Sequence, residues 1–135
     1  MTALTEFLFP KPARRTLGGI VGWWESRRPQ YNLIVGASGL FSLGLLRFLA
    51  WLPPNPRVLG ATDWRVVLAF GLLANVCYLL GPMVETGIEK LSGGKILPTG
   101  PVLFRMGLTF SLGLTLLPAL LAGLDWIFRI FDLFF

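Results

Sequence analysis

Three long apolar runs, residues 31–52, 64–84 and 102–124, set the pattern of this 135-residue chain. Each is close to the ~20 residues that an α-helix needs to cross about 30 Å of hydrocarbon, so each predicts a membrane span. The connections carry helix breakers: Pro53-Pro54-Asn55-Pro56 in residues 53–63, and Ser92-Gly93-Gly94 with Pro98-Thr99-Gly100 in residues 85–101. Proline lacks the donor that a helix interior requires, so these clusters mark turns.

Both flanks of the bundle are amphipathic. Over residues 14–28, Leu17, Ile20, Val21 and Trp24 recur at helical spacing, while Arg14, Arg15, Gly18, Glu25 and Arg28 take the other sides. That pattern predicts a helix lying in the membrane interface, ended by Pro29, with Asn32 available to cap the first span. Trp23, Trp24, Arg27, Arg28 and Tyr31 suit the headgroup layer, where indole and phenol are stable and guanidinium reaches phosphate. In the tail, residues 125–135, Asp125, Arg129 and Asp132 form a polar stripe among Trp126, Phe128, Ile130, Phe131, Phe134 and Phe135. Trp126 and Arg129 are the interfacial candidates there. The tail either lies on the membrane or continues the third helix against a neighbour. The expected fold is an all-α membrane protein: an interfacial segment at 1–30, then a three-helix transmembrane domain at 31–135.

Composition agrees. The chain is 54% hydrophobic and 14% charged, with a mean hydropathy of +0.68. Soluble domains average about 25% charged residues, and a chain this short cannot hide so much apolar surface from water. The first run starts too deep and is too long to be a signal peptide, and no small-residue cleavage site follows it. The Arg14-Arg15 pair is followed by too short an apolar stretch for a twin-arginine signal.

The net charge of +5 and pI near 10.2 do not imply nucleic acid, because the basic residues sit at the ends of apolar runs and form no stripe. They set orientation instead. Lys11, Arg14, Arg15, Arg27, Arg28, Lys90, Lys95 and Arg105 fall on one side, against Arg47, Arg57, Arg65 and Arg129 on the other. The positive-inside rule then puts the N-terminus and second connection in the cytoplasm and the C-terminus outside, with anionic headgroups as partners on the cytoplasmic face. Arg47 and Arg105 are near enough to their helix ends to snorkel.

Two spans carry faces suited to close approach. Gly71, Ala74, Asn75, Tyr78, Gly81 and Glu85 align at three- and four-residue steps in the second. Gly107, Ser111, Thr115 and Ala119 align at four-residue steps in the third, where Pro118 should kink the helix. Small residues let helices approach, and Asn75 and Tyr78 offer hydrogen bonds across the contact. The expectation is that the second and third spans pack face to face through these rows.

Reactive chemistry is sparse. There is no histidine, which removes the commonest general base, metal ligand and pigment ligand. Cys77 is the sole cysteine, so no internal disulfide forms. No acid sits at mid-span, and Gly93-Gly94-Lys95 lacks the earlier glycine and the following hydroxyl of a phosphate-binding loop.

The stretch Trp23-Trp24-Glu25-Ser26-Arg27-Arg28-Pro29-Gln30-Tyr31-Asn32, running into a glycine-containing span, resembles a signature of small uncharacterised bacterial inner-membrane proteins. The resemblance implies a bacterial inner membrane and a polar interfacial cluster of Glu25, Arg27, Arg28, Tyr31 and Asn32. It brings no catalytic residue, metal or covalent cofactor. The expected function is a non-catalytic accessory subunit of a larger membrane complex, with a respiratory or photosynthetic host, touching lipid or pigment by packing alone. A small oligomeric transporter or channel is the alternative.

Overall fold

A computed structural model describes residues 5–6, 16–54, 64–93 and 99–134. Four helices follow Thr16: α1 (Leu17–Glu25), α2 (Arg28–Trp51), α3 (Trp64–Ser92) and α4 (Gly100–Phe134), with no strand among the described residues. The protein is membrane-embedded in character: it has three helical segments long and apolar enough to cross a bilayer, and α1 leads into the first of them. Lys11, Arg14, Arg15, Arg57 and Lys95 of the charge count lie outside the described residues, as do the start of the predicted interfacial segment and Phe135.

Helix boundaries depart from the hydropathy boundaries at each span. Hydropathy marks where hydrocarbon ends, whereas the hydrogen-bond ladder stops only at a breaker. α2 already begins at Arg28, with Arg27 at its N-cap and Pro29 in its first turn, where a missing N–H costs nothing. Asn32 is therefore inside the helix and exposed, and it is not the cap. α3 continues past Val84 to Ser92 and ends at Gly93, whose φ of +58° suits glycine. α4 runs on through the tail to Phe134, which decides for helix continuation over a separate surface segment. At 1.5 Å per residue its 35 residues reach about 52 Å, well beyond a ~30 Å hydrocarbon core. Pro82 and Pro118 lie inside α3 and α4 without ending either helix.

The bundle is antiparallel in chain order, but its main seam is not the expected one. α4 packs most extensively on α2, and less on α3. The buried residues of α4 include Phe104, Leu108, Ser111, Thr115, Ala119 and Ala122, spaced by threes and fours that hold one side of a helix. On α2 they include Val35, Ser42 and Leu49, at seven-residue steps. Gly39 of α2 faces this seam, since a Cβ there would sit 3.6 Å from Thr115 Cγ2. Each four-residue step turns a helix through about 400°, so three of them wind Gly107 roughly 120° away from Ala119. A Cβ at Gly107 would meet nothing within 4 Å, and the same is true at Gly71. The third span's row thus meets the first span through Ser111 and Thr115, and open space lies where a Cβ of either glycine would be.

α3 joins the bundle by one half only. Its buried residues are Ala74, Tyr78 and Glu85, while residues 64–69 are all exposed. At the far end, the tail is tied to the turn after α2. Trp126 Nε1 donates to the Pro53 carbonyl at 3.3 Å, and Arg129 donates to the Pro54 carbonyl at 2.9 Å while pairing with Asp125 at 2.9 Å.

Candidate functional site

The protein's polar side chains converge where α1, the start of α2, the C-terminal half of α3 and the start of α4 meet. α1 is short, nine residues, and its ends are well satisfied. Thr16 caps the N-terminus by accepting from the Gly19 N–H at 3.1 Å. At the other end, the Gly22 carbonyl accepts from Ser26 N–H, and the Trp23 carbonyl accepts from Ser26 Oγ and the Arg27 guanidinium. The Trp24 carbonyl accepts from the Arg27 N–H and from the Tyr78 hydroxyl at 2.6 Å. Carbonyls that a helix end would leave orphaned thus become its joints to α2 and α3.

Trp24 is the centrepiece. Its indole is only 2% exposed, stacked edge-on against Trp23, Tyr78 and Phe104. The ring lies over Gly81 of α3, at a place where any Cβ would overlap it. Its Nε1–H donates to Glu85 Oε2 at 2.7 Å. The other carboxylate oxygen of Glu85 accepts from the Gly100 N–H at 3.2 Å, at the first residue of α4. A negative group at a helix N-terminus is favourable, because the free N–H groups there carry partial positive charge. Glu85 therefore caps α4 from another helix. Gly100 is needed for this approach, since a Cβ there would lie 2.6 Å from Glu85 Oε2. One carboxylate, on a residue 6% exposed, fastens three helices.

A second polar knot lies deeper along the spans. Tyr31 of α2 is 2% exposed; its hydroxyl shares a 2.7 Å hydrogen bond with Ser111 Oγ and reaches the Ala74 carbonyl at 3.4 Å. Thr115 turns its hydroxyl back onto the Ser111 carbonyl at 2.6 Å, which satisfies it within α4. The Tyr31 ring lies 4.6 Å from that of Tyr78.

These positions revise the sequence assignments residue by residue. Trp24 and Tyr31, assigned to lipid contact, face the protein interior, because each aromatic polar atom finds a buried partner there and none is left for the headgroups. Trp23 is half-buried with the Arg27 guanidinium 4.0 Å above its ring, and Arg28 pairs with exposed Glu25 at 2.8 Å. Asn75 does not bond across a helix contact; its Nδ2 donates to the Gly71 carbonyl one turn earlier in α3. Tyr78 does bond between helices, to α1 in place of α4. Ala74, Ser111 and Thr115 are buried. Glu85 ends the small-residue row of α3, yet sequence reasoning does not reveal its role as a fastener. The available signal is a buried-face carboxylate one turn after a glycine, with a tryptophan N–H to match it 61 residues away.

This division gives a direct test. Tyr31→Phe should cost about 1–2 kcal/mol of stability in detergent unfolding, because it removes the bonds to Ser111 and to the Ala74 carbonyl at about 0.6–1 kcal/mol each. Asn75→Leu should change stability by no more than about 0.5 kcal/mol.

Among the described residues no group of three or more His, Cys, Asp or Glu side chains could hold a metal ion. The chain matches no family model, and no curated protein or solved structure is significantly similar to it.

Proposed function

We propose that this protein is a non-catalytic structural subunit of a larger membrane assembly. The observation that carries the reading is the direction in which its functional groups point. Trp24, Tyr31, Tyr78, Glu85, Ser111 and Thr115 spend their hydrogen bonds on one another or on backbone within the chain. Along the spans the outside is largely apolar: only 11% of the most hydrophobic stretch is buried in each of the first two spanning segments, and 28% in the third. Such surfaces interact by packing against lipid tails or other helices. The charge bias supports a cytoplasmic N-terminus, and the tryptophan-arginine stretch supports a bacterial inner membrane. A respiratory or photosynthetic host is part of the same proposal, since those assemblies are built from many small helical chains.

Native gel migration after mild detergent extraction tests it. Co-migration with a complex many times the 14.9 kDa of this chain is the expected result. Migration as a free monomer or small homo-oligomer would overturn the subunit reading. In the second case, flux through liposomes that falls on substitution of Asn75 and Arg105 would favour a transporter.

A further inference from the structure

The junction between α1 and α2 carries two consecutive guanidinium groups and one carboxylate. Arg28 is paired with Glu25 at 2.8 Å, whereas no carboxylate among the described residues pairs with Arg27. We propose that Arg27 and Arg28 together hold the phosphate of an anionic membrane phospholipid at this junction. The inference rests on the membrane embedding of the spans and not on the subunit reading.

Three observations point to this ligand. The first is how Arg27 is held. Its guanidinium lies 4.0 Å above the Trp23 ring, and Nη1 donates to the Trp23 carbonyl at 3.0 Å and to Ser26 Oγ at 3.3 Å. The cation is thereby fixed in place without being neutralised, and Nη2 is left with no protein partner. The Nε atoms of both arginines are shielded from solvent and find no acceptor in the protein either. A guanidinium offers its donors in a rigid fork that matches carboxylate or phosphate, so this pair still lacks an anion. The second is charge. Two guanidiniums against one carboxylate leave a single positive charge, which the single negative charge of a phosphodiester balances. The buried Glu85 carboxylate cannot supply it, being committed to Trp24 and Gly100. The third is depth. Glu85 joins Trp24, at the end of α1, to Gly100, at the start of α4, so the junction is level with the start of the third apolar run. The exposed apolar exterior of α2 begins within two turns, at Leu33. Phosphates of lipids lie at that boundary, with their acyl chains running along such an exterior, whereas a phosphate from water gains nothing from it.

Lipid titration of the full chain in mild detergent tests this, read by the unfolding temperature, which rises with any ligand that binds only the folded protein. Phosphatidylglycerol should raise it at mole fractions where phosphatidylcholine, whose choline brings a positive charge to the cluster, does not. Arg27→Gln and Arg28→Gln should each weaken the apparent affinity for phosphatidylglycerol about tenfold, the loss of one charge-assisted contact. Lys90→Gln, which removes an exposed cation at the same end of the bundle, should leave it unchanged. Equal weakening by all three substitutions would reduce the effect to diffuse attraction and overturn the proposal, as would equal stabilisation by the two lipids. Inorganic phosphate that stabilises the wild type and cancels the further effect of phosphatidylglycerol would assign the cluster to a soluble anion and overturn the lipid source. Native mass spectrometry keeps the test open should Arg27→Gln not fold. One phosphatidylglycerol should stay on each wild-type chain and be lost from Arg28→Gln, and retention undiminished in that variant overturns the proposal.

Discussion

Gly81→Ala should unseat the Trp24 indole and destabilise the protein by about 2 kcal/mol in detergent unfolding, with a red shift of tryptophan emission. A Cβ at this position overlaps the far edge of the ring, and the ring can yield only by giving up contacts that hold it. Edge-on neighbours hold it on several sides, and any swing breaks the 2.7 Å bond to Glu85. Overpacking costs about 1–3 kcal/mol, and loss of a hydrogen bond to a charged group about 1.5–3 kcal/mol. Against this, alanine is the better helix former by about 0.5–1 kcal/mol. Strain therefore wins. Gly71→Ala, ten residues earlier on the same helix and open at its Cβ, is the control and should be neutral or slightly stabilising. Two Gly→Ala changes of the same sign and size would mean that the indole does not depend on Gly81.

The contrast between those glycines also locates what the sequence can and cannot tell. Gly71, Ala74, Tyr78, Gly81 and Glu85 are recognisable as one face of a helix from spacing alone, and the three apolar runs do become the three long helices. Spacing assigns a face but not its partner. Small residues at helical steps suggest a second helix in contact, yet Gly81 admits an indole and Gly71 faces open space. Trp24 is harder still. A tryptophan beside arginines at the start of a span ordinarily marks the headgroup layer, and only the carboxylate of Glu85, remote in sequence, makes burial of its N–H favourable. The tail is ambiguous for a different reason, because an amphipathic stripe suits an interface and a helix extension equally. Its bonds to the Pro53 and Pro54 carbonyls are long-range facts that no local pattern contains.

Removing the Glu85 carboxylate should have the largest effect of any single change at this end of the bundle. Glu85→Leu strands two buried donors, the Trp24 indole N–H and the Gly100 N–H, and each unsatisfied group costs about 1–3 kcal/mol. A total near ~3–4 kcal/mol is expected, enough to detach α1 and to loosen the start of α4 together. Glu85→Gln should cost about half as much, because its amide keeps one acceptor and turns a donor toward the other N–H. The bond itself is isolated by a cycle with Trp24→Phe, which removes the indole donor while leaving an aromatic ring over Gly81. If the carboxylate and indole act as a pair, Glu85→Leu should be milder by about 1.5–3 kcal/mol in the Trp24→Phe background. Costs that add to within about 0.5 kcal/mol would show the two side chains to be energetically independent, and the fastening would then rest on packing around the indole. Protection of backbone amides gives the spatial half of the same test. Faster hydrogen exchange in Glu85→Leu should spread to both α1 and the first turn of α4, which the carboxylate joins, and should spare the α2–α4 seam around Thr115.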